Sequence, residues 1–267
     1  MKEITLPKGV MPLEIFVGSV AKNRVTEEVD GRSGVVDYGF NYTDRPVSLF
    51  LRIKAADATD FRLLRNEVFA TFDVGSAFYV AESDVPSRVL KVVVDESYIP
   101  DRLTEEYADF DINCRTLDSV FWESKYTTLE LHDSGYAHSA EKYGLVDNID
   151  DEKVKYRFTE NTFTVYNAGN VTVEPESMML NIIVNAVQSS NNFTIRNKTS
   201  GEEVILKRES KGSHFRIQGM VISLGSITNI FRDTNRRFIS LSPGDNHFEI
   251  LNGTFEEIRF EFKYLYK

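Results

Sequence analysis

The chain has 267 residues, 42% of them hydrophobic and 27% charged, with 19 Phe and 12 Tyr; this composition excludes a disordered chain and weights a globular one toward strands. Its formal net charge of −10 is uneven: residues 1–150 hold 16 Lys/Arg against 27 Asp/Glu, a net −11, and residues 151–267 hold 15 against 14, a net +1. An acidic amino-terminal half argues against wrapping nucleic acid, because affinity for phosphates rests on Lys and Arg, and the length favours two domains.

In chain order, Glu14–Val17 is a short apolar run, and Val47, Leu49, Leu51 and Ile53 share one face of an alternating strand. Between them, Val29–Val36 carries two glycines that suit a hairpin turn, so residues 14–54 read as a β-meander. A helix begins at Thr59 or Asp60, continues through Phe61, Leu64, Val68, Phe69 and Phe72, and ends at Gly75. Its aromatic stripe reads as core packing.

Strands resume at Ala77–Ala81, Arg88–Val94 and Ala108–Arg115. From Lys125 to Lys155 the pattern loosens, and the polar stretch Leu131–Asp151 reads as a linker. After it, short strands at Arg157–Tyr166, Met179–Val187, Phe193–Arg196, Val204–Arg208, His214–Gln218, Met220–Leu224, Phe238–Leu241, His247–Leu251 and Ile258–Tyr264 indicate a β-sandwich.

Chemistry is sparse. Cys114 is the only cysteine, so no intramolecular disulfide forms, and it reads as a small buried hydrophobe. The histidines, His132, His138, His214 and His247, stand in no metal-ligand or catalytic spacing, and no phosphate loop, dinucleotide fingerprint or nucleophile elbow occurs. No catalytic, metal-binding or cofactor-binding residue is nominated, and no enzymatic activity is expected. The densest charge feature is Asp101, Glu105, Glu106, Asp109, Asp111 and Asp118, relieved by Arg102 and Arg115. It lacks the Asp-x-Asp-x-Asp-Gly pattern of a calcium loop and reads as a solvated face or the wall of an acidic channel. A sandwich also suits carbohydrate recognition, but the chain's only Trp, Trp122, lies outside it. A carbohydrate- or host-surface-binding module is therefore the alternative reading. A glycan-degrading enzyme ranks behind it, since no carboxylate pair can be chosen without geometry. Glu3, Pro12 and Glu14 interrupt the first apolar run, and no stretch approaches the ~20 apolar residues of a membrane span; neither secretion nor membrane insertion is expected.

A series of segments carries a family likeness: Gly31-Arg32-Ser33-Gly34, the helix Asp60–Phe69, Phe78-Tyr79-Val80, Tyr98-Ile99-Pro100-Asp101-Arg102 and Phe121–Thr128, then Tyr166–Asn170, Ile195–Gly201, Asp233-Thr234-Asn235 and Leu241–Asn246. In this order they resemble the distal tail protein family of siphophages. The resemblance covers nearly the whole chain. It implies a mainly β protein with an amino-terminal β-rich domain holding one α-helix (residues 1–128), a linker or arm (129–154) and a galectin-like β-sandwich (155–267). It implies further a structural hub at the virion tail tip, made in the host bacterial cytoplasm. Such a hub is a homohexameric ring that joins the major tail tube protein to the tail-associated baseplate protein and to receptor-binding proteins. DNA passes through its lumen without specific binding, and the six carboxylates above are the candidate lumen-facing residues. The family has no catalytic residue to carry over.

Overall fold

A computed structural model describes residues 4–73, 75–134 and 149–267. The chain divides into two compact units, one of Met1–Glu82 and Leu90–Phe121, the other of Ser83–Val89 and Trp122–Lys267.

The first unit holds β1 (Val10–Val17), β2 (Ala21–Glu28), β3 (Val35–Thr43), β4 (Pro46–Lys54), α1 (Ala58–Phe72), β5 (Phe78–Glu82), the second part of β6 (Val85–Val94), β7 (Asp101–Arg102) and β8 (Tyr107–Thr116). β4 lies between β1 and β8, both antiparallel to it, and β7 adds to β8. Strict alternation produces one core face: Val47, Leu51 and Ile53 of β4 and Ala108, Phe110, Ile112 and Cys114 of β8 are buried. Helix α1 contributes Phe61, Leu64, Val68 and Phe72 to the core, the i, i+3/i+4 set of an amphipathic helix. Its cap is Asp57, two or three residues ahead of the expected Thr59 or Asp60. The Asp57 carboxylate accepts from the backbone N–H of Thr59 and Asp60 at 2.7 and 2.8 Å. The helix ends on Asp73, before Gly75.

The expected meander does not form. β1 pairs with β4, and β2 and β3 pair only with each other as a separate two-stranded ribbon inserted between them. Every β2 residue is exposed. The physical reason is visible in Ala-Lys-Asn-Arg-Val-Thr-Glu-Glu, which offers no apolar face to a core. Gly39, at φ 102°, permits the register shift within the ribbon.

The second unit contains the first part of β6, β9 (Trp122–Ser124), β10 (Arg157–Phe158), β11 (Thr162–Asn167), β12 (Leu180–Ser189), β13 (Phe193–Asn197), β14 (Glu202–Leu206), β15 (Ser210–Gln218), β16 (Val221–Leu224), β17 (Gly244–Leu251), β18 (Glu257–Phe262) and β19 (Leu265–Tyr266). Two antiparallel sheets, ordered β10-β18-β12-β15-β16 and β11-β17-β13-β14, form a sandwich. Rings from both inner faces meet: Phe163 stacks on Phe248 and meets Phe260 edge-on, and Phe193 meets Phe215. Arg157–Tyr166, read as one strand, is two, because Thr159–Asn161 carries the chain from one sheet to the other. Phe238–Leu241 forms no strand; Leu241 makes only a bridge to Val173.

Ahead of the sandwich, residues 128–134 are helical. Thr127 and Glu130 cap that helix reciprocally: the Glu130 carboxylate accepts from Thr127 N–H at 2.7 Å and the Thr127 hydroxyl from Glu130 N–H at 3.4 Å. Of the expected linker, residues 135–148 lie outside the described residues, as does His138.

Candidate functional site

β8 builds the candidate acidic wall. Its inward residues bury Ala108, Phe110, Ile112 and Cys114, so alternation turns Asp109, Asp111, Asn113 and Arg115 to the opposite face. On that face Arg52 of β4 stands opposite Asp109 and donates twice, from Nε at 2.6 Å and Nη2 at 2.7 Å. This two-pronged bond holds the Asp109 carboxyl below the usual carboxylate range and the Arg52 guanidinium above its own. Asp111 accepts from the Ser48 hydroxyl at 3.3 Å.

The six predicted carboxylates do not form one cluster. Asp101 lies on β7 directly opposite Asp109, Glu105 and Glu106 sit in the β7–β8 turn, and all three are exposed. Asp118 lies past the far end of β8, about 30 Å from that turn at ~3.3 Å per strand residue, and pairs with Lys91 at 2.5 Å. Arg52 answers Asp109 and Lys91 answers Asp118. Asp101, Glu105, Glu106 and Asp111 form no ion pair among the described residues.

Near the Arg115 end of β8 lies an open groove of about 510 Å³, lined by Phe16, Asp44, Ser48, Asp95 and Arg115 among others. Arg115 reaches Asp95 at 3.1 Å and Asp44 at 3.9 Å. Burial pushes the Cys114 thiol up to about 12, which removes the thiolate a nucleophile needs. Among the described residues, no group of three or more His, Cys, Asp and Glu is placed to hold a metal ion, and no helix is long and apolar enough to cross a membrane.

Two features escaped the sequence reading. Arg45, 8% exposed, donates from Nε to Gly18 O at 2.5 Å, and its backbone exchanges bonds with Thr116; it ties both legs of the ribbon to the end of β8. The second is a strap, Tyr98–Leu103, laid along α1. Tyr98 meets Phe69 edge-on and Arg102 sits 4.8 Å over the Phe61 ring, while Ile99 is 83% exposed. The Ile99 signal was present in the sequence: an apolar residue beside Pro100 with no alternating partner. In the second unit, Trp122 is 8% exposed on β9, paired with Tyr266. It is packed and offers no platform for a sugar.

Residues 4–114, the span of the β1-β4-β8 sheet and α1, match the model of the phage tail protein RIFT-related domain. No curated protein sequence matches the chain. Among solved structures, the Dit (gp 19.1) protein of phage SPP1, described as a paradigm of the hub adsorption apparatus of phages infecting Gram-positive bacteria, superposes with a TM-score of 0.68 at 12% identity, covering 97% of this chain and 96% of that one. The fold is therefore shared along the length of both chains. A chain of the phage p2 baseplate in its activated conformation aligns at TM-score 0.41 and 9% identity, over 96% of this chain and 90% of that one. The resemblance to distal tail proteins drawn from the sequence is borne out by the phage tail protein domain and the Dit fold.

Proposed function

We propose that this protein is a structural hub of a long-tailed phage: a distal tail protein whose copies close into a hexameric ring at the virion tail tip. The observation that carries the reading is the phage tail protein domain of residues 4–114. The likeness of fold to the SPP1 Dit protein supports it. The ring joins the tube protein to the tail-associated baseplate and receptor-binding proteins, lets DNA pass, and performs no catalysis. Its contacts lie within residues 1–128. A ring closes by heterologous contacts, in which two different surfaces of each copy meet.

In this reading Asp101, Glu105, Glu106, Asp109, Asp111 and Asp118 face the lumen, where carboxylates repel phosphates. The four without an ion-pair partner supply most of that repulsion, because Asp109 and Asp118 are offset by Arg52 and Lys91.

Light scattering with electron microscopy of the purified full chain tests both levels. Six copies of a 30.5 kDa chain weigh about 183 kDa, and images of a closed ring with β8 carboxylates lining the hole are the expected result. A monomer at all concentrations, alone and with tail partners, overturns the ring. A ring with these carboxylates on its outer wall overturns the lumen assignment alone.

A further inference from the structure

The β2–β3 ribbon is the least supported element of the first unit. A two-stranded ribbon is marginally stable alone in water, yet this one exposes Val25, Val29, Val35 and Tyr38, the last at 62%. From Arg24 outward the ribbon is also acidic, with Glu27, Glu28, Asp30 and Asp37 against Arg24, which pairs with Asp37, and Arg32. Glu27 accepts from the Tyr38 hydroxyl and Asp37 from Arg24, both within the ribbon. Glu28 and Asp30 have no partner among the described residues.

A complementary surface lies on the same unit. Arg62, Arg65 and Phe69 fall on one stripe of α1, at i, i+3 and i+7. Phe69 is exposed there, with Ile99 and Leu103 on the adjoining strap. Arg62, Arg65 and Arg102 form no ion pair among the described residues, and Arg65 Nε is buried without a hydrogen-bond partner. Glu67, two residues after Arg65, lies off the stripe, which is therefore basic. One surface is acidic and apolar, the other basic and apolar, and among the described residues no hydrogen bond or ion pair joins the distal ribbon to α1.

We propose that the distal β2–β3 ribbon docks on the α1 stripe of a second copy of this chain, with Glu28 and Asp30 against Arg62 and Arg65 and the valines against Phe69 and the adjoining Ile99. The contact rests on the ring reading and supplies the two unlike surfaces that a head-to-tail closure needs.

The full-length chain tests it. Reversing the ribbon (E28K/D30K) or the helix (R62E/R65E) weakens self-association about tenfold by sedimentation velocity, since each surface loses attraction and gains repulsion. Combining all four substitutions restores association to within about threefold of wild type. In parallel, Asp30→Cys chains mixed with Arg62→Cys chains give a disulfide-linked pair that neither gives alone. Self-association unchanged by either reversal, with no cross-link, overturns the contact and leaves the ring standing. A cross-link in a protein that never forms closed rings keeps the contact and overturns the ring. A monomer with no cross-link overturns both.

Discussion

Asp109 shows how one neighbour decides what a carboxylate can do. Facing Asp101 across β7, it would raise the local negative charge, but Arg52 on its other side holds it with two short bonds. The folded-state midpoint is depressed, so the stabilisation from this pair is present above the unfolded value of about 3.9 and is lost as pH falls through the lower folded midpoint. A carboxyl-detected NMR titration should place Asp109 below 3.9; a midpoint at or above that value would contradict the geometry, and Arg52→Met should move it upward. Cys114 makes the opposite case. With its thiol held near 12 by burial, it should resist a thiol reagent at pH 8 in the native protein and react on denaturation. Rapid native labelling would show that the β8 core opens. The sequence reading of Cys114 as a small buried hydrophobe was legible from the alternation around it. That Asp109 and Asp118 are neutralised was not, because Arg52 and Lys91 are distant in sequence and meet them only through strand pairing.

Short elements here depend on single polar side chains. Thr128, fully buried, donates its hydroxyl to Phe260 O at 2.9 Å and accepts from Phe262 N–H at 3.1 Å, fastening residues 128–134 to β18. Thr128→Val preserves shape but orphans two backbone groups, a cost of about 1–3 kcal/mol each; urea unfolding should show a lowered midpoint, and an unchanged one would mean that water takes the hydroxyl's place. Gly169 has a steric rather than a conformational reason: a Cβ there would stand 2.5 Å from Leu265 O and 2.7 Å from Leu265 N. Gly169→Ala should therefore displace β19 and lower thermal stability. Long, strongly alternating elements such as β4, β8 and β12 were readable from period alone, as were the sandwich and the one long helix. The Thr127-Thr128-Leu129-Glu130 capping box was also present in the sequence, but the polar run after it masked the signal. The ribbon's separation from β1 and β4 left only a negative trace, the lack of an apolar face.

At the scale of the whole molecule, the ribbon gives an assembly reporter that needs no substitution. Its turn, Val29–Gly34, is exposed and holds Arg32 between two glycines at φ 81° and 86°, the setting in which a protease nicks. Trypsin should cut after Arg32 first in dilute protein and more slowly once copies assemble; equal rates in both states would mean that the ribbon stays uncovered. The chain also passes repeatedly between its two units: β6 gives Ser83–Val89 to the second and continues from Leu90 in the first. β9 pairs with Arg88 and Val89 of that borrowed piece. A gene fragment that begins at Trp122 would thus encode β9 without the strand it pairs with on that side, and no single cut yields two self-sufficient halves. A cut between Val89 and Trp122 parts β9 from β6, and one after Ser124 parts it from β19 at the far end of the chain.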